Sequence, residues 1–190
     1  ALISRMRYIA RWGLMRNALP ENIQEHSHMV AVLAHALGVI RRDIFHQPCD
    51  VNALATAALY HDASEILTGD LPTPIKYHNA EIMSAYHAVE DLAVQKLLGM
   101  LPPELRETYA DVLAEDKDGD IYPLVKAADK LSAYIKCIEE RKAGNNEFLS
   151  AEAQTRAALE ASPLPEVQYF LEHFIPAFER DLDELGAIGQ

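Results

Sequence analysis

Residues 59–65 read Leu59-Tyr60-His61-Asp62-Ala63-Ser64-Glu65, and they close an apolar helix with an adjacent histidine and aspartate. Two metal-binding groups therefore stand where a hydrophobic core is expected. On neighbouring helical residues these side chains point roughly 100° apart, so both reach one ion only if it sits between packed helices. A buried ionisable group is costly unless it is paired or bound to a metal. The segment predicts a metal site whose other ligands come from other helices.

Charge and cysteine content restrict the partners and the compartment. The 190 residues include 17 basic and 29 acidic side chains, for a net charge of −12. This charge argues against a nucleic-acid polymer or an anionic membrane as the main partner. No apolar run approaches the roughly 20 residues of a membrane-spanning helix. Cys49 and Cys137 show neither disulfide nor thiolate-metal spacing, so we expect a reducing cytoplasm.

The hydrophobic pattern is helical almost throughout. Without a Ser/Gly-rich or Pro-rich linker, we expect residues 1–190 to form one all-α domain, a bundle of about seven to nine helices. Residues 1–17 are rich in Arg and free of acids, like a transit peptide, but we expect them to stay in the fold. Helices are predicted after Asn22 with Glu25, after Asp50 or Asn52, over about 79–98, from Pro102 or Pro103 to about Glu115, from Pro123 to Gly144, and twice in 147–185. Gly69 and two prolines make the segment from Thr68 to Lys76 an expected ordered loop.

Two residues on other helices complete the candidate ligand set. His26 heads an apolar stripe, and Asp129 borders the stripe of the helix that follows Pro123. Taken singly, His26 could be a helix-start histidine and Asp129 a surface carboxylate. With His61 and Asp62 they offer two imidazoles and two carboxylates, which suit manganese, iron, cobalt or zinc better than calcium or magnesium. Such an ion lowers the pKa of a bound water toward about 7, so that the water can serve as the nucleophile.

Three further residues could act on a phosphate ester. Glu65 follows His61 by four positions, on the same side of a continuing helix, and could act as general base or acid; the alternative is a solvated helix surface or an N-cap partner for the next turn. Arg11 offers a fork for phosphate oxygens, and Trp12 a flat surface for a nucleoside of any base. The alternative for this pair is a core tryptophan with a snorkelling arginine.

The order His26, His61-Asp62, Asp129 resembles that of the HD-domain metal phosphohydrolases. The flanking sequence narrows the resemblance to the bacterial 5'-deoxynucleotidases of the YfbR type, over nearly the whole chain. The matching segments are Arg11-Trp12, Leu14-Met15-Arg16-Asn17, Glu25-His26-Ser27, Tyr60 to Glu65, Leu67 to Pro74, Lys76-Tyr77 and Ala143 to Leu149.

The resemblance implies an HD-domain homodimer that hydrolyses deoxyribonucleoside 5'-monophosphates to deoxynucleoside and phosphate. It implies one divalent metal ion, cobalt, manganese or similar, with zinc possible, bound by His26, His61, Asp62 and Asp129. Glu65 would be the acid/base, and Arg11 would orient the phosphate. The implied substrate contacts are Arg11, Trp12, His26, Asp70, Thr73, Pro74, Ile75, Lys76 and Asp129.

From the residues alone, two positions in the loop stay ambiguous. Asp70 could accept a hydrogen bond from a 3'-hydroxyl, within a wall that excludes a 2'-hydroxyl, or it could serve turn chemistry after Gly69. Lys76 could contact substrate or be a solvated loop cation.

Other functions also stay open. The enzyme could cleave a nucleoside triphosphate or a cyclic nucleotide, although the extra histidines of dinuclear HD phosphodiesterases are missing. It could instead be a non-catalytic metal- or nucleotide-binding module, against which the intact Glu65 and Arg11 argue. The segment Asp116 to Asp120 resembles a calcium loop, but Ile121 and Ala127 replace the required Gly and Glu.

Overall fold

The computed structural model describes residues 1–76, 78–114 and 119–186. Regular structure in these ranges is helical, apart from one isolated antiparallel bridge between Ala10 and Asn22, which confirms the all-α prediction. The helices of nine or more residues are α1 (Ile23–Val39), α2 (Val51–Tyr60), α5 (Ala80–Gly99), α6 (Pro103–Leu113), α7 (Tyr122–Lys142), α8 (Leu149–Glu160) and α9 (Pro165–His173). The short ones are α3 (Glu65–Thr68), α4 (Thr73–Lys76), α10 (Ile175–Phe178) and α11 (Leu182–Gly186), with 3-10 turns at Ile3–Tyr8 and Asn146–Phe148 and a π turn at Ile40–Ile44.

Side-chain caps set the beginnings of the main helices, as the sequence predicted. Asn22 accepts from the Glu25 amide at 3.1 Å, and Glu25 accepts from the Asn22 amide at 3.3 Å, a reciprocal capping box. Asp50, rather than Asn52, caps α2 by accepting from the Ala53 amide at 2.9 Å. These caps place His26 in the first turn of α1.

The core lies where α1 packs against α2 and α7. Its fully buried members include Leu37 of α1, Leu54 of α2 and Leu131 of α7. This packing places the first turn of α1, the end of α2 and the second turn of α7 side by side. None of the helices in the described ranges is long and apolar enough to span a bilayer.

Three segments differ from the predicted limits. The expected loop before Lys76 contains one helical turn, α4, in which Pro74 occupies the first turn, where its missing N–H costs nothing. Residues 147–185 form four helices rather than two, because Pro176 cannot donate to the preceding turn and α9 ends at His173. Helix α6 ends at Leu113. Tyr77, the predicted helix end at Glu115 and the Asp116–Asp118 part of the rejected calcium loop lie outside the described residues.

Candidate active site

The packing of α1, α2 and α7 brings His26, His61, Asp62 and Asp129 together, and we call these four residues the ligand cluster. His26 Nε2 lies 3.1 Å from Asp129 Oδ1 and 3.5 Å from Asp62 Oδ2. His61 Nε2 lies 3.1 Å from Asp62 Oδ2. Ligand atoms of His26, His61 and Asp129 all lie within 4.8 Å of one another. One ion could therefore contact His26, His61 and Asp129, and Asp62 lies beside both histidines.

Both histidines are held at Nδ1, which leaves Nε2 for a ligand. His61 Nδ1 lies 2.7 Å from the Ala58 carbonyl, which can only accept, so Nδ1 carries the proton. His26 Nδ1 lies 3.2 Å from Ser132 Oγ. Both side chains are at most 1% exposed, and although carboxylate oxygens lie 3.1 Å away, neither Nε2 makes a well-directed hydrogen bond within the described residues. Buried nitrogens of this kind, fixed at Nδ1 and facing carboxylates, fit a divalent transition metal.

The ligand cluster also attracts positive charge electrostatically. Burial lowers the pKa of His61, but the carboxylates of Asp62 and Asp129 outweigh burial and raise it. Burial raises the pKa values of Asp62 and Asp129, but the neighbouring histidines outweigh that effect, so both pKa values fall well below the usual range. These shifts all favour positive charge beside the two carboxylates.

Arg11 and Trp12 approach the ligand cluster from a segment paired with the start of α1. The Arg11 amide donates to the Glu21 carbonyl at 3.0 Å. Arg11 Nη1 lies 3.5 Å from Asp62 Oδ2, and the side chain is only 13% exposed. The snorkelling alternative for Arg11 is therefore wrong, since the guanidinium is buried in ion pairs. Burial lowers its pKa, but Asp62 and other nearby carboxylates outweigh burial and raise it.

Trp12 is half-buried and held at two points. Its indole Nε1 donates to Glu21 Oε2 at 3.1 Å, and its ring lies 5.2 Å from that of Phe148. Its φ of +58° is unusual for a bulky residue. This position beside Arg11 differs from a core tryptophan, because the ring is not fully enclosed.

Glu65 begins α3, and its side chain points inward. The residue is 6% exposed, and its Oε2 has no hydrogen-bond partner among the described residues. Burial, Asp62 and Asp70 raise the pKa of Glu65 to about 10. The alternative of a solvated helix surface is therefore wrong. Asp70 is half-buried, and burial raises its pKa against the opposing charge of Arg11.

Four of the implied substrate contacts, Thr73, Pro74, Ile75 and Lys76, form α4. Pro74 and Ile75 are exposed, and the side chain of Thr73 lies outside what the structure describes. Lys76 Nζ lies 2.9 Å from Glu90 Oε1 and 4.6 Å from the centroid of the Tyr86 ring. The reading of Lys76 as a solvated loop cation is therefore wrong.

A second group of buried charges lies farther along α7. Lys136, Glu140 and Asn145 hold the backbone of residues 16–19, and we call this group the clamp. Glu140 accepts from the Ala18 amide at 2.8 Å, the Leu19 amide at 3.0 Å and Asn145 Nδ2 at 2.7 Å. Lys136 donates to both Glu140 and the Leu19 carbonyl. The clamp anchors the chain just after Trp12.

Sequence reasoning missed three residues that support this site. Ser132 could have been found, because it follows Asp129 by three positions on the same helix face. Phe148 lies in a segment that carries the family resemblance, but its contact with Trp12 has no local signal. Glu21 offered none, since it is one of 29 acidic residues.

The comparisons with known proteins identify the family. The sequence model of the 5'-deoxynucleotidase YfbR-like family matches residues 1–178. The proteins named 5'-deoxynucleotidase YfbR from Shigella boydii and Escherichia coli are each 50% identical over 187 residues, which is 98% of this chain and 94% of theirs.

Solved structures support the same fold. An HD-domain phosphohydrolase from Listeria innocua superposes with a TM-score of 0.82 at 26% identity, over 93% of this chain and 86% of its own. The cyanophage S-2L HD phosphohydrolase DatZ, solved with dA and one catalytic Zn²⁺, superposes with a TM-score of 0.60 at 26% identity, over 96% and 95%. The chain therefore belongs to the YfbR-like family of 5'-deoxynucleotidases, within the HD-domain phosphohydrolases.

Proposed function

We propose that this protein hydrolyses deoxyribonucleoside 5'-monophosphates to a deoxynucleoside and phosphate, and that it requires one divalent transition-metal ion. The observation that carries this proposal is the pair of buried imidazole Nε2 atoms that face two carboxylates without a hydrogen-bond partner in the described residues. The relatives at 50% identity that are named 5'-deoxynucleotidase support the substrate class.

The four residues of the ligand cluster would hold the ion. When bound, the ion would activate a water and offset the charge that develops at phosphorus. The donor set admits manganese, iron, cobalt or zinc. Cobalt or manganese is our first choice because the family resemblance implies it, and zinc is included because the phage neighbour contains a catalytic Zn²⁺.

Arg11 and Trp12 would bind the two ends of the nucleotide. The guanidinium sits beside Asp62, where it can receive phosphate oxygens through its remaining N–H groups. The indole of Trp12 can stack on a base of any kind, which would give little base preference. His26 and Asp129 would then face the phosphate from the ligand cluster.

Glu65 would move the proton. Its carboxyl is protonated at neutral pH when no cation is present, because burial, Asp62 and Asp70 raise its pKa to about 10. In that form it can donate to the leaving 5'-oxygen; in the ionised form it accepts a proton from the attacking water. The buried, unpartnered Oε2 supports either direction of transfer.

We assign the selection of deoxyribose over ribose to Asp70 and α4. The half-buried Asp70 carboxylate can accept a hydrogen bond from a 3'-hydroxyl. The α4 turn, Thr73 to Lys76, would form the wall that excludes a 2'-hydroxyl, and the pairing of Lys76 with Glu90 supports a fixed position for that wall.

The proposal also covers domain organisation, oligomeric state and cellular compartment. The chain would form one HD domain, assemble as a homodimer and work in the cytoplasm. Exposed apolar side chains on α5, Val89 at 49% and Leu92 at 69%, support a subunit contact there. The two cysteines are free thiols, which suits a reducing compartment. Light scattering coupled to size-exclusion chromatography tests the dimer.

The test of the activity is phosphate release from matched dAMP and AMP. Metal-stripped protein is supplied separately with cobalt, manganese, zinc or magnesium, beside a Glu65→Gln variant and a Glu107→Gln control on the exposed face of α6. We expect metal-dependent release from dAMP, much less from AMP, and loss in Glu65→Gln alone. Equal rates on both substrates would remove the sugar preference, and nucleotide binding without release under any metal would indicate a binding module.

A further inference from the structure

Two substrate-binding side chains share one hydrogen-bond acceptor. Glu21 Oε2 accepts from Arg11 Nε at 3.2 Å and from Trp12 Nε1 at 3.1 Å. The Glu21 side chain is 16% exposed, so water competes only weakly for these bonds. A single oxygen thereby ties the guanidinium to the indole.

Glu21 is itself held in place from both sides. Its carbonyl accepts from the Arg11 amide at 3.0 Å, and the Ile23 amide donates to the Ile9 carbonyl at 3.0 Å. The next residue, Asn22, caps α1. Glu21 therefore stands at a fixed point between the substrate-binding segment and the helix that carries His26.

The bond to Glu21 also counters backbone strain. Trp12 adopts a φ of +58°, which a bulky side chain holds only when its surroundings impose it. Phe148 contacts the indole ring, but Glu21 is the acceptor for its N–H. Without that acceptor, we expect the indole to sample other orientations.

We propose that Glu21 is a positioning residue, which holds Arg11 and Trp12 as one preorganised unit for the phosphate and the nucleoside of the same substrate. This inference rests on the proposed function for what the unit binds. Preorganisation lowers the conformational cost of binding and keeps the phosphate at the reacting centre. Losing it should raise KM and lower kcat together.

The variants separate the charge of Glu21 from its role as acceptor. Glu21→Ala removes both, and we expect kcat/KM for dAMP to fall about 10- to 100-fold, as for partners that orient a ligand-binding group. Glu21→Gln keeps an acceptor oxygen and should recover most of that loss. Glu139→Ala is the matched control, because Glu139 is an exposed glutamate that lines the same cavity as Glu21, between α1 and α7.

Fluorescence supplies a reading that needs no turnover. Trp12 is the only tryptophan, so emission and steady-state anisotropy report this side chain alone. We expect lower anisotropy in Glu21→Ala, with values near wild type in Glu21→Gln and Glu139→Ala, at similar thermal midpoints. If Glu21→Ala does not fold, Glu21→Leu, which fills the same space without an acceptor oxygen, and Trp12→Phe are compared by KM, and their effects should be less than additive.

The outcomes are distinguishable. Absence of phosphate release in wild type would overturn the proposed function, while the anisotropy of Trp12 would still test the positioning. Anisotropy and KM in Glu21→Ala equal to those of Glu139→Ala would overturn the role of Glu21. So would strictly additive effects of Glu21→Leu and Trp12→Phe on KM.

Discussion

Helix α7 contributes side chains to two polar groups, the clamp and the ligand cluster, which differ in one respect. In the clamp, both carboxylate oxygens of Glu140 accept hydrogen bonds, and its 0% exposed side chain has no polar atom left over. In the ligand cluster, Asp129 faces a buried histidine nitrogen that has no hydrogen-bond partner within the described ranges.

The difference separates structural from functional burial of charge. A buried polar group that is completely hydrogen-bonded by protein contributes to one fold and has no capacity for a ligand. A buried group left without a partner is costly in the protein alone, so a ligand that partners it binds with that cost relieved. Damage to the clamp should therefore affect folding, whereas damage to the ligand cluster should affect metal binding.

The largest effect on stability should come from breaking the clamp. Glu140→Ala leaves the Lys136 ammonium buried without its carboxylate, which should lower the free energy of unfolding by about 3–5 kcal/mol. Urea denaturation measures this change. Replacing both partners, Lys136→Met with Glu140→Leu, should restore much of it, because the exposed Ala18 and Leu19 can bind water. If Glu140→Ala were as stable as the control Glu139→Ala, the clamp would not be a structural group distinct from the ligand cluster.

Asp129→Asn should do the reverse. It should lower the stability of the metal-free protein less than Glu140→Ala does, but abolish stabilisation by added metal, which for wild type is about 2.7 kcal/mol at a metal concentration of 100 Kd. Thermal unfolding with and without cobalt measures both quantities. Asp91→Asn on the exposed face of α5 is the control. An undiminished metal-dependent rise in Tm would show that Asp129 is not a ligand.

Ser132 provides a finer test of the difference between the clamp and the ligand cluster. It contacts His26 at Nδ1, on the side of the ring away from Nε2. Ser132→Ala frees Nδ1 of His26, and metal affinity should fall about 10- to 100-fold, as for other residues that orient ligands. Ser27→Ala is the matched control: Ser27 is also buried, follows His26, and makes no hydrogen bond in the described part of the chain. Calorimetric titration with cobalt measures both, and equal affinities would refute the role of Ser132.

The smallest predicted effect is on how stability depends on pH. Burial raises the pKa of Glu140, but hydrogen bonds from Lys136, Asn145 and the Ala18 and Leu19 amides outweigh burial and lower it from 4.5 to about 2. A lowered pKa stabilises the fold above pH 4.5, and that contribution is lost as pH falls toward 2, at no more than about 1.4 kcal/mol per pH unit. The Lys136→Met, Glu140→Leu double variant should therefore lose stability less steeply than wild type between pH 5 and 3. Parallel pH curves would contradict this.

The sequence predicted what local patterns determine. Helical periodicity and caps identified the class and most helix limits, and the spacing of His26, His61-Asp62 and Asp129 marked side chains that the structure brings together. It could not predict contacts that depend on how irregular segments pack. Glu21 meets Arg11 and Trp12 only because residues 9–12 run antiparallel to 21–23.

Tertiary packing also explains why the surface interpretations of Lys76 and Glu65 were wrong. Lys76 pairs with Glu90 across the α4–α5 connection, which no periodicity specifies. Glu65 looked like a possible surface residue until the packing of α3 buried it. Local propensity similarly left open how Pro176 would divide the last helices.

The clamp and the neighbouring pair of Arg16 and Glu147 also impose an order on biosynthesis. Arg16 and its partner Glu147 lie 131 positions apart, so the segment that carries Arg11 and Trp12 leaves the ribosome long before its anchors exist. At about 5–20 residues per second, that interval lasts roughly 7 to 26 seconds. A nascent chain interrupted between residues 129 and 136 would already contain all four residues of the ligand cluster, but none of the clamp. Catalytic competence should thus arrive only with the last quarter of the chain.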